Sequence, residues 1–344
     1  MKHPSEGIGM KISIHSRRAF ALRAAVAAAS LAFGAGAPRA ATWPDKPITV
    51  VVPASAGSSL DQNVRRVMEE VGKLLKQTVV IDNRPGGGGT IALPLIARAA
   101  PDGYTLGIGN TASLVITPEI NAKARYEPLK DFEFIARFTN QPNVLVVRNE
   151  LPVKTVAELT QHLKKNPGKL FLGSQGNGST GHLSGEMFKR MAGVDFVHVP
   201  YRSGPPAVQD MLGGRVDLMF ENVATIEGQV EAGKVRALAV TSAKRNPRFP
   251  ALPTMQEAGV PGYDVISWSG LIAPAGTPKE VLARLNEALN AALKVREVNT
   301  FIVSRGAVVE GGSAEAFRSF VSSERTKWQT LIKDIGGIAE EAAR

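Results

Sequence analysis

Cysteine is absent from all 344 residues, which excludes disulfides, thiolate metal sites, iron–sulfur clusters and cysteine nucleophiles. Histidine is scarce. Of the five, only His162, His182 and His198 lie beyond the N-terminal segment, scattered and without H-E-x-x-H or another close ligand pair, so no metal site is expected. Beyond that segment there is no run of 18 apolar residues, and no membrane-spanning helix is predicted. Aromatic residues make up only 6%, and no basic run exists for them to interleave, so nucleic acid is not an expected partner. The net charge of +10 does not alter that. Lys2, Lys11, Arg17, Arg18, Arg23 and Arg39, opposed only by Glu6, place half of it in residues 1–41. What remains is ordinary: 44% apolar residues describe a globular protein, and the length predicts two domains.

The N-terminus reads as an export signal over residues 1–41. Ser16-Arg17-Arg18-Ala19-Phe20 precedes the uncharged, Ala-rich stretch Ala24 to Ala37, and Ala35-Gly36-Ala37 supplies the small residues of a cleavage site. As a helix, that stretch would cover only ~21 Å of a ~30 Å hydrocarbon core. The paired arginines before a weakly apolar region point to the twin-arginine route. A periplasmic location is therefore expected for the processed chain.

Short apolar runs then alternate with helical patterns. Ile48–Val52, Thr78–Ile81, Tyr104–Ile108, Asn143–Val147, Leu170–Gly173, Phe196–Val199, Val216–Phe220 and Arg236–Val240 are strand candidates. Leu60, Val64, Val67, Met68, Val71, Leu74 and Leu75 share a helix face. Thr155-Val156-Ala157-Glu158 and Thr277-Pro278-Lys279-Glu280 fit capping boxes. A last helix over 314–335 turns Phe317, Val321, Trp328, Leu331 and Ile335 inward. The alternation predicts an α/β fold of parallel sheets with crossover helices. Polar Thr139-Asn140-Gln141-Pro142 and Val260-Pro261-Gly262-Tyr263 mark two boundaries. They give a first domain of 42–141 and 264–344 with 142–263 inserted, a hinge between them and a cleft in that hinge.

Three junctions are rich in small residues. Pro53 to Asp61 lies between the first strand and helix, where Ala54, Ser55, Ala56 and Gly57 let a ligand approach the backbone. Ser58, Ser59 and Asp61 add capping groups, and the free N–H groups of a helix start bind anions. Simple capping explains the same residues equally well. Ser174 to His182 is again strand, loop and helix, with a literal G-x-G-x-x-G at Gly176, Gly178 and Gly181. As a dinucleotide fingerprint it needs an acidic residue after the next strand. Val199-Pro200-Tyr201-Arg202-Ser203 has none, although Arg202 could face a 2′-phosphate. A periplasmic NADP-dependent oxidoreductase using these glycines is therefore the alternative to small-anion capture. Arg84 to Thr90, with four consecutive glycines, lacks the Lys-Ser/Thr of a P-loop and reads as a flexible turn. G-x-S-x-G is missed around Ser179, where Asn177 stands in place of the first glycine.

Seven segments together resemble a known family. They are Trp43-Pro44-Asp45-Lys46-Pro47-Ile48, Asp82-Asn83-Arg84-Pro85-Gly86-Gly87-Gly88-Gly89, Pro101-Asp102-Gly103-Tyr104-Thr105-Leu106, and Gly176-Asn177-Gly178-Ser179-Thr180 with His182-Leu183. Phe196-Val197-His198-Val199-Pro200-Tyr201, Leu212-Gly213-Gly214-Arg215-Val216-Asp217 and Ala273-Pro274-Ala275-Gly276-Thr277-Pro278 complete the set. In this order, over the whole processed chain, they resemble the Bug (TctC-like) solute-binding receptors of tripartite tricarboxylate transporters. The resemblance implies a two-lobed, type II periplasmic binding protein, each lobe a sheet flanked by helices. It implies a monomer that is no enzyme, needs no cofactor, and holds a small carboxylate between its lobes for a membrane permease or a sensor. Carried over, the gripping loops are Ala54 to Asp61 and Ser174 to His182, including Ser174, Asn177, Gly178, Ser179, Thr180 and His182. Asn110, Ser113, Tyr201, Glu221 and Asn222 are secondary contacts; Glu221 is expected as a solvated rim carboxylate, the alternative being a partner for an amino or hydroxyl group at the ligand's far end. Ala54, Gly57-Ser58 and Leu60 depart from the family's usual aromatic, Gly-Gly step and small hydroxyl residue; Ala54 should enlarge that wall, and Ser58 restrict the backbone while adding a hydroxyl.

Overall fold

A computed structural model of the chain describes residue 1 and residues 43–121, 124–201, 203–334 and 336–337. The expected export signal and Arg202 lie outside the described residues. The chain divides into Met1–Asp45 and Lys46–Arg344, and every element below belongs to the second unit.

In chain order the elements are β1 (Ile48–Val52), α1 (Ser59–Leu75), β2 (Val79–Asn83), α2 (Ala92–Ala97) and β3 (Thr105–Asn110). A wide π-type turn (Ala112–Ile116) then leads into α3 (Thr117–Ile120), α4 (Pro128–Asp131) and β4 (Phe132–Arg148). Next come α5 (Val156–Lys165), β5 (Phe171–Ser174), α6 (Thr180–Ala192), β6 (Val197–Pro200), α7 (Gly204–Leu212), β7 (Leu218–Asn222), α8 (Val223–Glu231) and β8 (Val235–Val240). The chain closes with β9 (Ile266–Pro274), α9 (Lys279–Lys294), α10 (Arg296–Ser304), β10 (Val308–Gly311) and α11 (Ala314–Asp334).

The strands run β2-β1-β3-β9-β4-β7-β5-β6, with β8 and β10 also on β4. Two parallel triplets, β2-β1-β3 and β6-β5-β7, share one winding: the first strand in sequence lies between the other two. The sheets are mixed rather than wholly parallel as expected. Each triplet is continued by a long antiparallel strand, β9 beside β3 and β4 beside β7. β4 is buried on both faces by Phe132, Phe134, Ile135 and Phe138, then by Val144, Leu145, Val146 and Val147. Such uninterrupted apolar runs suit a strand covered by helices on both sides.

The polar stretch Thr139 to Pro142 is continuous strand, not a loop. Its side chains are used laterally: the Thr139 and Ser269 hydroxyls are 2.6 Å apart, and the Asn140 amide donates to Glu310. β4 pairs with β9 as far as Pro142↔Ile266 and with β7 and β8 from Asn143 onward. The second predicted boundary leads into the neighbouring strand, since Val265 N–H donates to Thr241 and β9 begins at Ile266.

Two helix starts differ in an instructive way. Thr155 caps α5, its hydroxyl accepting from Glu158 N–H, as the capping box predicts. Thr277 instead donates to the Pro274 carbonyl at 2.8 Å, leaving α9 to begin at Lys279 without a side-chain cap. α11 buries Phe317, Val321, Trp328 and Leu331, and with them Glu324, whose carboxylate accepts from both the Trp268 and Trp328 indoles. Ile335 lies outside the described residues. Arg190 on α6 pairs with Asp334 at the end of α11.

Candidate functional site

Strand direction decides where the loops meet. β3 and β4 both run antiparallel to β9, so the carboxyl end of β3 points along β4 toward its crossing. β7 runs antiparallel to β4, so its carboxyl end points back at the same place. Asn110 pairs with Ser269, which pairs with Thr139; Asn222 pairs with Asn143. Thr139 and Asn143 are four residues apart on one strand, a span of ~13 Å. The carboxyl ends of the parallel strands, where open α/β sheets bind ligands, are thus drawn together from both sides. A methyl group at Gly178 would strike Ile120 and approach Ile116, so the glycine loop already abuts the helical segment that follows Asn110.

The loop after β1 is held from within. Ser58 caps α1 and accepts from Asp61 N–H at 3.3 Å, while Gly57, at φ +80°, donates its N–H to Asp61 Oδ2 at 2.7 Å. Asn83, at the end of β2, donates its amide to the Ala54 carbonyl and to Asp61 Oδ1. Arg65 bonds both Asp61 and Asn83. Burial by itself would raise the Asp61 carboxyl, but the Arg65, Gly57 and Asn83 bonds outweigh it and hold the group below its ordinary value. Asp61 is therefore spent on shaping the loop rather than facing outward. Ser55, Ala56 and Gly57 are exposed and Ala54, Ser58 and Ser59 half-buried. Ser59 and Leu60 keep N–H groups without partners among the described residues, as a helix's first turn must.

The loop after β5 has the same architecture. Ser179 caps α6 and accepts from His182 N–H at 3.2 Å, and Gly178, at φ +71°, donates to His182 Nδ1 at 3.1 Å. His182 is buried and stacked on His198, ring centroids 3.9 Å apart and nearly parallel. His198 Nε2 lies 2.6 Å from the Ser174 hydroxyl, which also bonds Gly176. Burial first, then the neighbouring imidazole and Lys189, press His182 down to about 3; burial and Lys189 hold His198 at about 4. Both rings are neutral, as an Nδ1 acceptor requires. Asn177 and Thr180 are half-buried, and the Thr180 and Gly181 N–H groups have no partner among the described residues.

The secondary residues divide. Asn110 is half-buried and locks with Ser113 through its side chain, whereas Ser113 is fully buried and its carbonyl accepts from Tyr126. The Tyr201 hydroxyl turns to Asp210 at 2.8 Å; burial and that carboxylate push the phenol up to about 12. Glu221 is not a rim carboxylate: it is 1% exposed, with Oε1 accepting Asn222 N–H and Oε2 unpartnered among the described residues. Burial raises its carboxyl to about 7, eased in part by the Asn222 N–H. The Asn222 side-chain oxygen is likewise buried without a partner.

The polyglycine segment is no free turn either. The Thr117 hydroxyl donates to the Gly88 carbonyl at 2.9 Å, seating it on α3. Asn83 and Arg65 escaped sequence reasoning. The Asp82-Asn83 pair closing a strand was the available signal for the first, and the i,i+4 step from Asp61 for the second. Among the described residues there is no cluster of metal-ligating side chains, and no helix is long and apolar enough to cross a membrane.

Residues 63–337 match the model of the tripartite tricarboxylate transporter family receptor, TctC. A UPF0065 protein encoded in the tcbD-tcbE intergenic region of Pseudomonas sp. (strain P51) is 37% identical over 310 residues, 90% of this chain and 92% of the relative. The solved structure of Rhodopseudomonas palustris MatC (Rpa3494) with bound malate is 33% identical, with a TM-score of 0.73, over 84% of this chain and 100% of that one. R. palustris Rpa4515 with adipate is 38% identical, with a TM-score of 0.77, over 86% and 99%. These are substrate-binding receptors and not enzymes, which removes the oxidoreductase reading of Gly176, Gly178 and Gly181. With its mixed α/β fold, the chain belongs to the TctC, or Bug, family of periplasmic solute-binding receptors.

Proposed function

We propose that the protein captures a small organic carboxylate in a cleft between two lobes, 42–141 with 264–344 and 142–263, hinged where β4 and β9 cross. The class comprises di- and tricarboxylates, acidic amino acids and aromatic acids. One observation carries the reading: two capped helix starts of matching construction stand on strand ends that converge on that crossing. Burying an anion is costly unless its oxygens are hydrogen-bonded. Helix starts supply N–H donors and a favourable dipole without a buried counter-charge. Relatives holding adipate and malate support the same class.

In this reading Ala54, Ser55, Ala56, Gly57, Ser58 and Ser59 form one wall and Asn177, Gly178, Ser179 and Thr180 the other. Asn110, Tyr201 and Asn222 edge the cleft, while Asp61, Ser113, Ser174, His182 and Glu221 hold the walls from behind. The chain acts as a monomer in the periplasm, after export by its twin-arginine signal, and delivers its ligand to the permease subunits of a tripartite tricarboxylate transporter or to a sensor. A thermal-shift screen of mono-, di- and tricarboxylates, amino acids and nicotinamide cofactors tests it. At 100 times its dissociation constant a true ligand adds ~2.7 kcal/mol. Stabilisation by one or a few carboxylates is expected; none by any carboxylate would overturn the proposal.

A further inference from the structure

The two loops agree bond for bond. Ser58 N–H donates to the carbonyl of Ser55 and Ser179 N–H to that of Gly176, both at 3.2 Å and three residues back. Gln62 N–H returns to Ser58 and Leu183 N–H to Ser179. The caps have nearly the same backbone angles, φ −66° and ψ 162° against φ −67° and ψ 158°. The glycine before each cap donates to a side chain four residues on, Asp61 Oδ2 or His182 Nδ1. Chemically the two acceptors are unrelated, yet both are δ atoms bonded to Cγ.

A second feature marks this end of the sheet. Glu221 is the penultimate residue of β7, the strand beside β5, and its buried Oε2 has no hydrogen-bond partner among the described residues, so polar capacity there exceeds what the chain itself uses. From the matched pattern, and resting on the carboxylate reading above, we infer that Asp61 and His182 are paired positioning residues. Each ties up the glycine N–H, which fixes the loop so that the next two free donors, Ser59 and Leu60 or Thr180 and Gly181, are left for the ligand. An exchangeable Gly57 or Gly178 N–H would offer the ligand a competing donor in the wrong place.

Amide hydrogen exchange by NMR reads the clasp directly. Gly57 and Gly178 should be protected with or without added adipate or malate, and Ser59, Leu60, Thr180 and Gly181 only with it. The reverse order overturns the inference. Calorimetry then compares two variants whose folding is checked by melting. His182→Leu, which lacks an acceptor, should bind adipate or malate at least tenfold more weakly; His182→Asn, with Oδ1 on Cγ, should restore affinity to within threefold of the original chain. Equal losses in both variants, or no loss in the leucine variant, would also overturn it. If the unaltered protein binds neither acid, the choice of ligand class is at fault, and glycine protection still decides the clasp. It decides as well if neither variant folds.

Discussion

Glu221 and the stacked histidines pull stability in opposite directions over the same pH range. Folded Glu221 keeps its proton up to about 7, whereas an unfolded one loses it near 4.5, so through this group stability falls as pH rises between those values. His182 and His198 are neutral when folded down to about 3 and 4 but protonate near 6.5 when unfolded; their contribution is full above 6.5 and is lost on acidification. Each group is worth ~1.4 kcal/mol per pH unit within its window. Two outweigh one, so these three groups together favour the folded chain at pH 6.5 over pH 4.5, and replacing both histidines by leucine should flatten the acid side of the urea-midpoint profile. Glu221→Gln removes the opposing term. Relative to the unaltered chain it should gain stability at pH 8 over pH 5; a difference independent of pH would mean that Glu221 is ionised throughout.

The helix caps make predictions at the scale of the element. Ser179→Ala and Thr155→Ala each delete one side-chain cap and should each lower stability by ~1 kcal/mol. Only the first should also weaken carboxylate affinity, because α5 begins away from the converging strand ends. Calorimetry on both variants separates the effects, and equal affinities would remove the α6 start from the site. Legibility in the sequence follows the same division. β1, α1, β5 and α6 could be read from periodicity and caps because their signals are local. β9 and the first half of β4 could not: Thr139 to Pro142 looks like a loop until Ser269 and Glu310 are known to lie beside it. Both loops proposed to grip the ligand are legible in the sequence by their small residues. The inward turn of Asp61, Ser113 and Glu221 depended on neighbours that only folding supplies.

Across the whole molecule, α11 ties distant parts together. Glu324 accepts from Trp268 on β9 and Trp328 on α11 and pairs with Lys327, while Arg190 reaches Asp334 from α6. Replacing Glu324 by alanine leaves two buried indole N–H groups without an acceptor, each costing ~1–3 kcal/mol. Glu324→Gln keeps one carbonyl oxygen and should cost clearly less. Denaturant titration gives the comparison, and equal losses would show that the indoles do not depend on that oxygen. The larger consequence comes from β4, a single 17-residue strand that lies inside the sheet of either half. Severed at Pro142, the gene would yield two fragments, each holding half a strand and a raw hydrogen-bonding edge. Neither piece has a complete interior to keep, so calorimetry should record one melting transition for Lys46–Arg344, not two.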